Sequence, residues 1–531
     1  MDASSGHSPR AVAPQQFGRT ESQEVRQIDT QTDFINLPTR MLSNEANMDE
    51  YTEETALGEI NTVVRSRTSG HLENYELVTF KINDPENPKN WSKGKKWYCT
   101  LVVAFTCFVV AFNSGIVTSD LTGVSKTFNV SDEVSLLTIT LFVVGFGVGP
   151  LCFAPLSEMY GRQPVYISTL FLAVVFIIPG ARAGNIGTLL VTRCIDGIAF
   201  SAPMVLVGGT LSDIWRAEER GVPMAAFSAA PFMGPVIGPL VGGFLSDAKG
   251  WRWLYWMQLI LSGTVWLLIT LTLPETYAPA LLSRRARKLR KSTGNSRLIT
   301  EAELNPRPLG DKLRLILLRP MQLLVLEPIV LLMSLYMAVL YGLLYMFFVA
   351  YPIVFQEGKG YNAGITGLMF IPIALGVLVA AACSPMVNKH YLKLSQRYGK
   401  NPPAELRLIP MMYSCWLVPI GPCFAGFPVG LGFILIYNSA NNYIVDSYQN
   451  QAASALAAKT FLRSLWGAGV VLFTTQMYHR LGYEWAGSLL AFISLACCAI
   501  PFAFYFYGAR IRKLSRFAFS AEDDTENTAG K

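Results

Sequence analysis

Charge is what this chain has least of. Of its 531 residues only 15% are Asp, Glu, Lys or Arg, against about 25% in an ordinary soluble domain. Histidine is scarcer still, with four in the whole chain, too few to ligate a di-metal membrane enzyme. No Gly-rich loop ending in Lys-Ser/Thr is present, which argues against direct drive by ATP. No Ser/His/Asp or His/Cys constellation stands out, so no catalytic residues and no enzyme are expected. Nine cysteines fall mostly inside apolar stretches, as Cys107, Cys152, Cys194, Cys497 and Cys498 do. Lacking metal-ligand spacing, they read as small packing residues, and neither a metal nor a cofactor is expected. An early apolar core is missing too, so the N-terminus is not a signal peptide. Residues 1–95 are polar and Ser/Thr/Glu-rich; they bury too little to order themselves and read as a disordered cytoplasmic tail.

Apolar residues, by contrast, make up 51% of the chain and come in long blocks. A bilayer core needs about 20 of them per helix. Blocks of that kind lie near 98–118, 135–156, 164–182, 187–212, 223–246, 252–273, 322–354, 363–386, 408–425, 428–447, 455–477 and 484–507. The expected fold class is therefore all-α and integral to a membrane, with twelve transmembrane helices. Lys and Arg set the orientation. Arg162, Arg216 and Arg220, the run Arg284 to Lys291, then Lys389 to Arg407, and finally Arg510 to Arg516 all fall in alternate loops. Those loops and both termini are thus expected on the cytoplasmic side, and the net charge of +7 is explained without nucleic acid. The layout reads as a tail (1–95), a six-helix half (96–273), a basic linker (274–320), a second six-helix half (321–508) and a C-terminal tail (509–531). Two such halves in parallel build a rocking transporter with its site between them. A sequon at Asn129 lies in the first outer loop and is a candidate for glycosylation.

Four groups of residues carry candidate chemistry. At the inner end of span two, Glu158, Gly161 and Arg162 form a turn with a charge pair in it. A latch of this kind can break and reform as two halves rock; an ordinary capped loop explains it equally well. In span four, Arg193 is costly in a bilayer unless it has a partner or a cavity, and Asp196 stands one helical turn on, able to pair with it on the same face. Span five carries Gly234, Pro235, Gly238, Pro239, Gly242 and Gly243, a pattern that kinks a helix and lets a neighbour approach closely. Aromatics and amides of spans seven and ten, among them Tyr336, Tyr437 and Asn438, would suit a cavity for bulky apolar or cationic organic compounds.

The sequence resembles the major facilitator superfamily, and within it the fungal twelve-span drug:proton antiporters, over residues from about 84 to 516. Carrying the resemblance are Asp84 to Ser92 before span one, Ala154 to Arg162, Arg193 with Gly197, the span-five glycines and prolines, Leu273 to Tyr277 after span six, and Asn442 to Tyr448 in span ten. Three positions depart from the pattern: Ala154, Gln163 and Asp196 stand where the family commonly has Gly, a basic residue and Gln. The resemblance implies two pseudo-symmetric halves, alternating access, and export of a drug, toxin or fungal secondary metabolite against protons, the proton gradient being the energy source. It implies proton coupling at Arg193, gating by 158–162 and control of leak by span five; Asp196, paired with Arg193 by its spacing, is expected to share in the coupling. Asn113, Glu327, Tyr336, Tyr437 and Asn438 are the expected cavity residues. The rival on the same fold is an exporter of polyamines or other small cations, which Glu327 and Asp196 would favour. A multi-span sensor without transport is the other class. The expected unit is a monomer in the plasma membrane, or alternatively the vacuolar one, handling a small organic substrate and protons.

Overall fold

The computed structural model describes residues 27–28, 63–68, 71–81, 83–216, 219–300, 303, 309–397, 403–420, 426–448 and 452–515. Its mass is helical. The helix α1 (Lys93–Gly115) runs through a 3-10 turn (Ile116–Asp120) into α2 (Leu121–Phe128). Then come α3 (Asp132–Tyr160), α4 (Arg162–Ala181), α5 (Ile186–Ile214), α6 (Gly221–Lys249) and α7 (Arg252–Thr272). The linker supplies α8 (Ala278–Thr293) and leads to α9 (Leu309–Leu326). The second half holds α10 (Pro328–Tyr351), α11 (Ala363–Leu368), α12 (Ile371–Gln396), α13 (Ile409–Ser414), α14 (Leu417–Ile420), α15 (Phe427–Ser447), α16 (Ala452–Leu481), α17 (Tyr483–Cys497) and α18 (Ala499–Leu514).

Among the described residues, ten helical runs are long and apolar enough to cross a membrane. The remaining two expected spans are the two least uniform segments. Around 408–425 the chain is broken into α13 and α14, and the expected boundary near Cys423 lies outside the described residues. α15 is diluted by Asn438, Asn441 and Asn442, which lower its hydropathy although it packs against α12 inside the bundle. The long seventh block resolves into two helices because Pro328 cannot donate to the preceding turn. Short capping devices set other ends: Asn185 accepts from Thr188 N at 2.7 Å to start α5, and Asn129, with φ +52°, ends α2.

The burial pattern is that of a protein whose solvent is lipid. Large apolar side chains stand on the outside, Leu271 at 79% exposure for example, where an acyl chain rather than water meets them. Polar side chains such as Asn113, Arg193, Gln258 and Glu327 are buried. Within the first half, α3 packs on α5, α1 on α6, and α4 on α5 and α7; within the second, α10 packs on α16 and α12 on α15. The halves meet along α3 against α16 and α6 against α11 and α12.

One difference from an all-helical reading lies outside the bundle. Strands β1 (Gln27–Ile28), β2 (Val63–Thr68), β3 (His71–Leu77) and β4 (Leu298–Ile299) form a small sheet in that order. β2 and β3 are an antiparallel hairpin, and β3 pairs in parallel with β4 of the linker. Part of the segment expected to be disordered is therefore ordered by the linker; residues 1–26 and 29–62 of it lie outside the described residues, as do 301–302, 304–308 and 516–531.

Candidate substrate pathway between the two halves

The turn between α3 and α4 is held from three directions. Gly161 has φ +100°, a conformation glycine adopts without strain. A Cβ there would also run into the Glu275 carboxylate. Glu275, in the segment after α7, is buried and accepts the backbone N–H groups of Arg162 (2.9 Å), Thr276 (3.0 Å) and Tyr277 (3.0 Å). It thereby caps the start of α4, where a negative charge is favoured. The Arg162 side chain turns the other way. Its Nε pairs with Asp213 at the end of α5 (3.2 Å), a terminal nitrogen donates to Ser157 Oγ (2.6 Å), and the guanidinium lies 4.9 Å from the Tyr277 ring centroid. Burial pushes the Tyr277 hydroxyl pKa up, and the nearby Glu158 charge adds to the rise. The expected Glu158–Arg162 pair is not what forms: Glu158 is exposed, and Asp213, more enclosed, takes the arginine instead.

The second half repeats the arrangement. Arg407, before α13, pairs with Asp446 near the end of α15 at 2.8 Å and lies over Tyr391 at 3.5 Å. Glu405 beside it pairs with Arg512 of α18 at 2.8 Å. Each half thus ties the loop after its second long helix to the end of its fourth.

Arg193 is fully buried on α5. Its Nε donates to the Thr138 carbonyl on α3 (3.2 Å), and a terminal nitrogen reaches Gln258 Oε1 on α7 (3.5 Å). The guanidinium stacks 4.3 Å from the Phe142 ring centroid, while its other terminal nitrogen has no hydrogen-bond partner. The expected ion pair with Asp196 is absent among the described residues. Asp196 Oδ1 is buried and unpartnered. Arginine reaches toward α3 and α7, so one turn of spacing does not bring the two groups together.

The small residues of α6 are spaced for contact with α1. A Cβ on Gly234 would stand 2.6 Å from the Phe108 carbonyl, and one on Gly238 or Gly242 2.8 Å from the Ile116 backbone. The same helix faces the other half on its next side: a Cβ on Gly367 of α11 would meet the Pro239 carbonyl at 2.7 Å. Asp247 accepts the Gly364 N–H at 2.9 Å, and Gly243 lies against Ala363. α6 is wedged between α1 and the second half, as its glycine spacing predicts.

At the centre, the halves enclose a small cavity of about 30 Å³, bounded by Ala111, Phe142, Phe146, Phe232 and Pro235 on one side and by Tyr341, Tyr345, Tyr437 and Arg463 on the other. Tyr437 packs edge-on against Phe232 across the interface at 5.1 Å. Of the five cavity residues expected from sequence, Tyr437 alone lines this space. Asn113 donates to Ser262 of α7 at 2.8 Å, Tyr336 is buried within the second half, and Asn438 is half-buried outside the lining. Glu327 is buried at the α9–α10 junction, where Tyr448 donates to it at 2.8 Å and Ser515 also bonds to it. The sequence reading passed over Lys459 and Arg463 of α16. Two cations four residues apart within an apolar block were the signal that would have found them.

A profile of the Major Facilitator Superfamily matches residues 103–471. The chain belongs to the major facilitator superfamily. Several curated relatives are fungal. The chain is 61% identical to the MFS-type transporter paaT of Penicillium rubens, over 93% of each chain. It is 42% identical to the multidrug transporter mdrA of Aspergillus fumigatus, over 84% of this chain and 76% of the other, and 39% identical to polyamine transporter 3 of Saccharomyces cerevisiae, over 84% and 74%. Among solved structures, a proton:xylose symporter aligns over 78% of this chain and 96% of its own with a TM-score of 0.55 at 14% identity, which supports the fold. This superfamily member is thus a multi-pass membrane transporter related to the fungal drug-efflux pumps, and not an enzyme.

Proposed function

We propose that this transporter exports an organic compound, a drug, toxin or secondary metabolite, by rocking its two halves about the central cavity in exchange for protons. The observation that carries the reading is the cavity itself, walled by aromatics from both halves and placed where alternating access needs a site. At about 30 Å³ it has room for a water or two and not for an organic substrate, so binding requires the halves to part. The two arginine latches, Arg162–Asp213 and Arg407–Asp446, are the contacts we assign to gating at the linker end. For proton coupling we favour Asp196, a buried carboxyl without an ion-pair partner, with Arg193 one turn away. By the distribution of Lys and Arg, the termini and linker face the cytoplasm; Asn129, exposed at the end of α2, then faces outward and is open to glycosylation. The plasma membrane is the assigned location, and a monomer the working unit.

A polyamine or other small-cation exporter is the second reading, favoured by the 39% identity to polyamine transporter 3. The placement of Glu327 outside the cavity lining weighs against it. The test is retention of a dye panel of both charges, with polyamines included, in cells stripped of their own exporters, with and without a protonophore. Lower retention that disappears with the protonophore and with Asp196→Asn supports proton-driven export. Unchanged retention across the panel in cells with well-expressed protein rejects it.

A further inference from the structure

The charge at the central cavity is positive. Arg463 lines it, 5% exposed, with its Nε unpartnered. One helical turn away on α16 and outside the lining, Lys459 is 1% exposed and donates to Asn441 Oδ1. Both cations stand over one aromatic ring, Lys459 at 4.6 Å and Arg463 at 5.4 Å from the centroid of Tyr437, and Arg463 also lies 4.7 Å from that of Tyr341. Among the described residues no carboxylate is within ion-pair distance of either. Two buried like charges at this spacing repel each other, and each is costly in a low-dielectric interior unless an opposite charge is supplied. Aromatic faces, the Tyr437 hydroxyl oxygen that accepts from Arg463 and the Asn441 amide oxygen offset part of that cost.

We propose that the missing counter-charge is the substrate: the central cavity binds an organic anion, its carboxylate or sulfonate held by Arg463 and Lys459 and its apolar body laid against Phe142, Phe146 and Phe232. The guanidinium offers a forked donor and the ammonium a point charge. This deepens the transport reading given above and rests on it, since it names the substrate class of the same cavity. It also runs against the cationic substrates that the aromatic lining suggested from sequence.

The test uses purified full-length protein in liposomes with an imposed proton gradient. The probes are naphthalene-2-sulfonate and 2-naphthyltrimethylammonium, which share a ring and carry opposite fixed charges. The sulfonate is expected to move and the ammonium to stay. Arg463→Gln and Lys459→Gln are each expected to slow sulfonate flux by about tenfold or more, the loss typical of a charge-assisted hydrogen bond, with thermal unfolding confirming that at least one variant is folded. Flux of the ammonium without the sulfonate overturns the anion site and leaves the exporter reading standing. Sulfonate flux that ignores the proton gradient keeps the anion site and overturns proton drive. No flux of either probe through folded protein overturns both.

Discussion

Replacing Glu275 isolates what the three-way clasp at the α3–α4 turn contributes. One carboxylate oxygen accepts three backbone N–H groups, from Arg162, Thr276 and Tyr277, at 2.9–3.0 Å. Alanine leaves all three without that acceptor. At about 1–3 kcal/mol for each buried group left unsatisfied, and with water reaching some of them, the expected loss is about 2–5 kcal/mol. Glutamine keeps an oxygen in place and loses only the charge, so about 1–2 kcal/mol is expected. The Arg284 contact at 3.6 Å adds little to either figure, because that side chain is half exposed. Thermal unfolding of the purified variants orders them as wild type, Glu275→Gln, Glu275→Ala. Gly161→Ala supplies the cross-check. Its Cβ meets Glu275, so part of its cost should vanish in the Glu275→Ala background, leaving the φ penalty at +100° and a non-additive cycle. Equal stability of the glutamine and alanine variants would refute the clasp, and strict additivity with Gly161→Ala would refute the steric half of the argument.

Gly234→Ala and Gly238→Ala push a methyl into the backbone of α1 and of the 3-10 turn that follows it, at 2.5–3.0 Å, and each is expected to cost about 1–3 kcal/mol by overpacking. Gly263→Ala on α7 meets nothing within 4 Å and serves as the control, neutral or stabilising by up to about 1 kcal/mol; thermal unfolding reads all three. Asp446→Asn should loosen the loop before α13 by unpairing Arg407, seen as faster proteolysis there with the first-half loop unchanged. The contact between the segment before α1 and the linker should depend on pH. Burial raises the Asp84 pKa, but the Arg285 hydrogen bond and ion pair and the Glu86 N–H outweigh it, so the folded value lies below 3.8. A lowered folded pKa gives a contribution that is complete above the unfolded value and fades as pH falls through the folded one. The protection of β3 and β4 amides, measured relative to the intrinsic exchange rate at each pH, should therefore be steady from pH 7 to about pH 5 and fall below about pH 4; the same loss of protection is expected in Asp84→Asn at neutral pH, and constant protection in the wild type contradicts the assignment.

The amino-acid sequence determined this protein's class because hydrophobic block length and basic-loop placement are one-dimensional signals that a bilayer reads directly. It also determined the face of α6, since a four-residue glycine repeat needs no partner to be recognised, and it placed a turn at Gly161, whose φ of +100° the tertiary structure supplied. Partner choice was not written there. Arg162 had Glu158 four residues away, yet Asp213, fifty-one residues on, holds it; Arg193 had Asp196 a turn away, yet the carbonyl of Thr138 takes its Nε. A long arginine side chain reaches neighbouring helices more easily than it folds back along its own, and which helix stands there is settled only by packing. The cavity was decided the same way: Asn113, Glu327 and Lys459 found partners within their own halves, while Arg463 faces the seam, because only the meeting of α3, α6, α15 and α16 defines where that seam lies.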